Sequence, residues 1–250
     1  MTFWHTLKAS YSGSIAFLLA CPALFAVPIL LEILQHVIEV HRGMYASLDG
    51  AMLADTDPVR LLFGLIKVTA LTLSGYWVVR FLAWRDPART GKMEAPAVRL
   101  FAGVLVLQVG LTAVLLFALP RAGGVLLAEA LGWPIMMVLF AAWFAAAPLG
   151  NARIGPGASV AIMLRHLPWS LALSFAALLP LLVPHYVLGA AALVGPKVLL
   201  WPVLIADALL VGLLSAVTAA SGYYIAKRAA DRIGADLDGG VTSEAFGHAY

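Results

Sequence analysis

Long apolar stretches, separated by short polar segments, are the dominant pattern of this 250-residue chain. Most of them approach or exceed the ~20 residues that a helix needs to cross ~30 Å of hydrocarbon. They are continuously apolar, without the alternation of barrel strands. The pattern therefore predicts an all-α, polytopic membrane protein with six transmembrane helices. The six spans cover approximately residues 14–40, 59–84, 98–119, 125–149, 167–184 and 199–226.

The polar segments between the spans are too short to hold a separate soluble domain. We therefore predict one six-helix transmembrane domain over residues 1–233 and a polar, flexible cytoplasmic tail over 234–250. Residues 2–12 are expected to form a short interfacial helix. Residues 184–198 are apolar and glycine-rich, and we expect them to form a buried external loop or a half-inserted segment.

Composition supports the membrane class, because only 12% of the residues are charged, against roughly 25% in globular domains. Basic residues collect in alternate connections, which predicts cytoplasmic termini and cytoplasmic even-numbered loops in a multi-pass protein of a bacterial-type inner membrane. The net charge of +3 has this topological explanation, so we predict no nucleic-acid partner.

The connection after the second span is the most basic of these segments. Anionic lipid could bind there, at about 1 kcal/mol for each basic side chain near such a surface. A plain topology signal explains the same residues equally well, so both interpretations stay open. Membrane lipids are the predicted partners, and other membrane-protein subunits are further candidates. The candidate lipid contacts are Arg85, Arg89, Lys92 and Arg99.

Small residues one helical turn apart predict where helices pack, because lipid tails leave no hydrophobic force to join helices inside a bilayer. The last span carries Gly212, Ala216 and Ala220 at four-residue spacing. The fourth span carries an alanine group. We predict that both faces are helix–helix contacts. The alanine group consists of Ala141, Ala142, Ala145 and Ala146.

Ionisable residues within the spans are the best candidates for function, since each is costly in hydrocarbon. Glu32, His36 and Glu39 share one face of the first span, because they lie four and three residues apart. Lys67 in the second span and Asp207 in the last span lie at a similar depth, about 12 Å from the same side. A cluster of these residues in the outer half of the bilayer is therefore geometrically allowed.

Such a cluster has two interpretations. It is either a polar cavity that binds a lipid headgroup, a small solute, a proton or a cation, or an interhelical salt bridge that only fixes packing. The candidate binding residues are Glu32, His36, Lys67 and Asp207. We predict neither a metal site nor a cofactor, because one helix cannot complete a metal site and only His185 offers an obvious further ligand.

The layout resembles the YciC-like inner-membrane proteins and the membrane portion of some glycerophosphoryl diester phosphodiesterases. The resemblance rests on three segments of the chain and implies a six-helix membrane domain without its own phosphodiesterase. It supplies no catalytic residue and no substrate, and the deep charged residues match no pattern of these families. The three segments cover residues 3–8, 161–169 and 222–227.

Short loops and interfacial segments favour a lipid-handling module or an accessory subunit of a membrane assembly, without its own catalysis. One alternative is a small proton- or cation-coupled transporter or flippase that uses the outer polar residues. A further alternative is an intramembrane lipid-modifying enzyme with His36 as acid and base. The chain contains no phosphate loop, HExxH motif or GxSxG elbow, which lowers the weight of the enzyme hypothesis.

Overall fold

The computed structural model describes residues 1–119 and 123–238, with backbone only for 124–130. The regular structure in these ranges is helical, and they contain no strand. Short 3₁₀ turns cover Ala147–Leu149 and Lys197–Leu199. The α-helices are α1 Phe3–Ala20, α2 Pro22–His41, α3 Leu48–Asp55, α4 Pro58–Trp84, α5 Pro87–Thr90, α6 Ala95–Phe117, α7 Gly123–Leu139, α8 Ala141–Ala146, α9 Pro156–Leu164, α10 Leu167–Val194 and α11 Leu200–Asp231.

Five of the described helices are long and apolar enough to cross a bilayer, namely α2, α4, α6, α10 and α11 with the 3₁₀ turn before it. The segments Leu131–Leu139 and Ala141–Leu149 supply a sixth if this bent pair counts as one span. The all-helical class that the apolar pattern predicts is therefore confirmed, with five or six described helices of the length and apolarity that a membrane span needs.

The predicted first span is divided at Cys21, where α1 ends and α2 begins. Cys21 has φ −132° and ψ 54°, outside the helical region, and Pro22 occupies the first turn of α2. Proline lacks a backbone N–H and is tolerated at that position, where the N–H would have no helical partner. The interfacial helix predicted over residues 2–12 is therefore part of a longer helix that runs to Ala20.

The predicted fourth span is bent by 53° between α7 and α8. Ser159 of α9 bridges the bend, because its hydroxyl donates to the carbonyl of Leu139 (2.8 Å) and accepts from the amide of Trp143 (3.1 Å). Ser159 is fully buried, so it satisfies backbone groups that the break leaves without helical partners. α7 and α8 thus form one broken element held by a side chain from α9.

The prediction of a loop or half-inserted segment over residues 184–198 is wrong for most of that range, because residues up to Val194 belong to α10. The helix continues through Pro180 and Pro184 to Val194, and residues 195–199, which include the 3₁₀ turn, separate it from α11. This apolar, glycine-rich segment forms a helix because α10 packs along α11, and Ala192 and Leu204 share one buried apolar cluster. The predicted span over 167–184 is correct in its start and ends about ten residues too early.

α11 is the helix around which the others pack, and it contacts α1, α2, α4, α8 and α10. Its small face is buried: Ala216 and Ala220 are at most 2% exposed, and Gly212 lies against Ile29 and Phe25 of α2. The alanines of α8 are buried as well. The predicted helix–helix faces are therefore confirmed, since small side chains let these backbones approach closely.

The long helices alternate in direction, so the molecule has two ends. Arg228 near the end of α11 donates to the carbonyl of Met1, and Arg85 at the end of α4 donates to the Tyr224 hydroxyl. We call this end the basic end. The opposite end, where α2 and α10 end and α4 and α11 begin, carries the buried carboxylates of Glu32, Glu39 and Asp207 and is called the cluster end.

The beginning of the predicted flexible tail is packed against the basic end. Asn151 donates its amide hydrogens to the carbonyls of Asp236 (2.9 Å) and Leu237 (3.2 Å), and the Leu237 side chain is buried. The buried Leu237 side chain and the two hydrogen bonds from the Asn151 side chain thus hold a segment whose composition predicts flexibility. The rest of the predicted tail, residues 239–250, lies outside the described residues.

Candidate functional site

The α2 face predicted from sequence is the centre of the site. Glu32, Gln35, His36 and Glu39 are all buried, at most 6% exposed, although they lie in the last three turns of an otherwise apolar helix. Helical spacing of three and four residues places these side chains on one face. That face packs against α4 and α11, so neighbouring helices rather than lipid surround the polar groups.

Glu39 fixes one nitrogen of the His36 ring. Its Oε2 lies 3.0 Å from His36 Nδ1, while the same carboxylate accepts hydrogen bonds from Gln35 (2.9 Å), Tyr45 (2.8 Å) and Arg60 (3.1 Å). A carboxylate that accepts three other donors is ionised, so we assign the Nδ1 hydrogen to His36 from this network. The ring orientation follows, and Nε2 points away from Glu39.

His36 Nε2 faces two further carboxylates without a hydrogen bond to either. It lies 3.3 Å from Asp207 Oδ2 of α11 and 3.5 Å from Glu32 Oε1 of its own helix. Charge-assisted N–H···O bonds are about 2.7–2.9 Å long, so both distances exceed a normal hydrogen bond. His36 Nε2 is buried without a hydrogen-bond partner, whereas Glu32 Oε2 lies 3.2 Å from the Lys67 ammonium.

Lys67 and His185 complete the cluster from two other helices. Lys67 of α4 donates to Glu32 over 3.2 Å, and His185 Nδ1 of α10 lies 2.7 Å from Asp207 Oδ1. Lys67 and His185 are the more accessible members, with side chains 19% and 25% exposed. We call the polar cluster the set of Glu32, His36, Glu39, Lys67, His185 and Asp207.

The polar cluster lies about 3–14 Å inside the ends of α2, α4, α10 and α11, at 1.5 Å per residue, with Glu39 nearest to an end. All four helices have these ends at the cluster end. The site is therefore set inside the apolar length of the bundle while staying near one end of it.

Tyr45 and Arg60 close the side of the cluster nearest the loop between α2 and α4. Burial and the adjacent Glu39 carboxylate raise the pKa of Tyr45, so its hydroxyl stays protonated and donates to Glu39. Lys197 donates a short hydrogen bond to the backbone carbonyl of Tyr45, which ties this loop to the turn before α11. At the edge of the loop, Arg42 hydrogen-bonds Asp57 and lowers its pKa.

The charges of the cluster and its near neighbour Arg60 do not balance. Three carboxylates, those of Glu32, Glu39 and Asp207, face two permanent cations, Lys67 and Arg60. With both histidines neutral, one negative charge is left, and the Nε2 lone pair of His36 points between two carboxylates. A proton on Nε2 or a bound cation at that point removes both the imbalance and the lone-pair repulsion.

The structure brings together all four candidate binding residues that the sequence indicates. Glu32, His36, Lys67 and Asp207 form one contact network, so the juxtaposition allowed by helical depth occurs. Sequence reasoning did not connect Tyr45 or Arg60 with them. It named His185 only as a remote option, because it placed that residue in a loop rather than on α10. Gln35 carried a signal that was not used, since it lies four residues before Glu39.

The four basic residues of the predicted lipid-binding connection lie at the basic end and are exposed. Arg89 stacks on the Trp84 ring at 3.7 Å, and Arg85 donates to Tyr224 at 2.9 Å. Arg99 donates to the carbonyl of Ala95, and the Lys92 carbonyl accepts from Tyr76. They are thus remote from the polar cluster, at the other end of α4.

Comparison of the chain with models of protein families, with curated proteins and with solved structures finds no match. The resemblance to YciC-like proteins therefore stays an expectation drawn from the layout. The functional argument rests on the geometry of the polar cluster.

Proposed function

We propose that this chain is a polytopic membrane protein that binds a cation in the polar cluster and couples it to transport. The observation that carries the proposal is the buried His36 Nε2, which faces the carboxylates of Glu32 and Asp207 without a hydrogen bond. A group that served only packing would be satisfied by its neighbours, because an unpaired buried polar atom costs about 1–3 kcal/mol. The position of His36 Nε2 between two carboxylates favours a cationic partner at that point.

A route to the surface supports this proposal. The Asp55 side chain is 48% exposed and lies 3.6 Å from Arg60. Arg60 lies 3.1 Å from Glu39, which in turn lies 3.0 Å from His36. An open groove of about 580 Å³ lies at the outer end of this line, walled by α3 and the end of α10. The groove is lined by Asp55, so it places an exposed carboxylate at the cluster end, with Arg60 between it and the cluster. The line runs through Asp55, Arg60, Glu39 and His36.

The proposed test is a charge-movement measurement on the full chain in proteoliposomes adsorbed to a solid-supported membrane. Concentration jumps of protons, Na⁺, K⁺ and Zn²⁺ are applied in turn, and the transient current is recorded. We expect a current for at least one cation, and its loss in Asp207→Asn, because the amide cannot supply the negative charge that faces His36.

The matched control is Asp231→Asn, which removes an exposed carboxylate near the end of the same helix that pairs with Lys227. This variant should retain the full current. Absence of current for every cation in the natural protein, or equal currents in Asp207→Asn and the control, would refute the transport proposal.

A second candidate function is the lipid-handling or accessory role in a bacterial-type inner membrane, with the basic end in the cytoplasm. The observation that favours it is the group of exposed guanidiniums at the basic end, where Arg89 stacks on Trp84 and Arg85 stays within reach of a headgroup. The role predicts co-purifying anionic lipid or a partner subunit after mild solubilisation. Native mass spectrometry that finds a lone, lipid-free monomer would contradict it.

A further inference from the structure

We propose that Glu32, His36 and Asp207 form a binding site for one divalent first-row transition-metal ion, of the Zn²⁺ or Mn²⁺ type. The inference rests on the proposed function, since it names the cation that the polar cluster takes. Each residue offers one ligand atom, these atoms lie within 4.8 Å of one another, and all three residues are buried. The ligands come from two helices, α2 and α11, which removes the objection that one helix cannot complete a site.

The spacing of the donor atoms fits a metal better than a hydrogen bond. Metal bonds to imidazole nitrogen and carboxylate oxygen are about 2.1 Å long, which separates tetrahedral ligands by about 3.4 Å. The His36 Nε2 distances to Glu32 Oε1 and Asp207 Oδ2 are 3.5 and 3.3 Å. A direct histidine–carboxylate bond would be about half an ångström shorter.

Neighbouring side chains hold the proposed ligands in position through hydrogen bonds, as they do around known metal sites. Metal-binding histidines usually donate their second ring nitrogen to a carboxylate, which fixes the tautomer and the ring. His36 makes this contact with Glu39, at 3.0 Å through Nδ1. Asp207 places its second oxygen 2.7 Å from His185, so the remaining oxygen stays directed at His36. His36 Nε2, which faces the two carboxylate oxygens, is among the buried atoms without a hydrogen-bond partner.

The donor types select the class of ion. One imidazole nitrogen with two carboxylate oxygens suits Zn²⁺, Mn²⁺ or Fe²⁺, whereas Mg²⁺ prefers oxygen and water alone and Cu⁺ prefers sulfur. Three protein ligands leave at least one position open for water or an exchanging group, as in sites where the ion must enter and leave. Lys67 then acts as a competing cation on Glu32, and its partial exposure lets the ammonium move outward.

Binding is tested on the full chain, purified in detergent through a tag that contains no histidine. Zn²⁺, Mn²⁺ and Mg²⁺ are titrated by calorimetry, and Co²⁺ is added as a probe whose visible absorption reports a low-coordinate nitrogen–oxygen site. We expect one Zn²⁺ per chain, at least tenfold tighter than Mg²⁺. Glu32→Gln and Asp207→Asn should each weaken Zn²⁺ binding at least tenfold, and Glu39→Gln by about tenfold through the histidine orientation.

Two variants serve as matched controls. His5→Ala removes an exposed histidine at the basic end, and Asp231→Asn removes an exposed carboxylate. Both should bind Zn²⁺ as the natural chain does. If the near-isosteric amide variants do not fold, the thermal midpoint of the natural chain provides the second readout, and it should rise with Zn²⁺ but not with Mg²⁺.

Failure of this inference is distinguishable from failure of the transport proposal. A charge movement driven by protons, Na⁺ or K⁺ and lost in Asp207→Asn, without stoichiometric Zn²⁺ binding, overturns the metal site and leaves cation coupling standing. Stoichiometric Zn²⁺ binding without any current confirms the site and refutes transport. Zn²⁺ binding that survives both amide substitutions is adventitious and overturns the inference.

Discussion

Replacement of Gly212 by alanine tests whether the close contact of α11 with α2 holds the site together. A Cβ atom at Gly212 would lie 2.5 Å from Cγ1 and 2.9 Å from Cδ1 of Ile29. Carbon atoms in good contact are about 3.5–4.0 Å apart, so Ile29 or the whole helix must move by about 1 Å. The nearer atom is Cγ1, in the middle of the Ile29 side chain, so a rotation of the chain end does not relieve the clash.

The expected magnitude follows from two opposing effects. Overpacking of a tight contact costs about 1–3 kcal/mol, and alanine is about 1 kcal/mol better than glycine within a helix. We therefore expect a net destabilisation of about 1 kcal/mol and a fall in the thermal midpoint of about 2–4 °C. The contact is five residues from Asp207 on the same helix, so the same shift should increase the distance between Asp207 and His36.

The matched control is Gly222→Ala in α11, because a Cβ at Gly222 meets nothing within 4 Å. This variant should gain the helix propensity without a clash, so the two variants should differ by about 2 kcal/mol. Unfolding is followed in detergent through tryptophan fluorescence, and Zn²⁺ titration is repeated on both proteins. Equal or higher stability of Gly212→Ala relative to Gly222→Ala would refute the reasoning.

Three further substitutions test the buried polar contacts by the same unfolding measurement. Lys67→Met should destabilise the protein by about 3 kcal/mol, because Glu32 loses its cation. The double variant with Glu32→Gln should recover most of this loss, and no recovery would show that the two residues are not coupled. The fully buried Arg80 guanidinium donates to the carbonyls of Pro148 and Arg89, so Arg80→Gln should cost about 3 kcal/mol. Ser159→Ala should cost about 2 kcal/mol, because it removes both hydrogen bonds at the α7–α8 bend. Unchanged midpoints would contradict either assignment.

Helix class and helix faces were predictable because they depend on local periodicity. Apolar runs of about 20 residues predict spans, and the four-residue spacing of Gly212, Ala216 and Ala220 predicts a contact face. The depth of Glu32 and Asp207 also followed from the position of each within its run. These features are counted along one chain segment, without knowledge of its neighbours.

Breaks and partners were not predictable in the same way. The bend after Leu139 depends on Ser159, twenty residues further along, and the division at Cys21 occurs inside a run that is apolar on both sides. His185 was assigned to a loop because its glycine-rich surroundings resemble one, while packing on α11 keeps them helical. Tyr45 joined the site only because the loop after α2 folds back onto Glu39.

The central position of α11 has a consequence for the order of assembly in the cell. This helix is the last of the long helices to be synthesised, yet it supplies Asp207 and contacts α1, α2, α4, α8 and α10. Before α11 packs, the described polar neighbours of Glu32 and His36 are Lys67, Tyr45 and residues of their own helix. The polar cluster is therefore complete only when residues 200–231 have packed against α2 and brought Asp207 to His36.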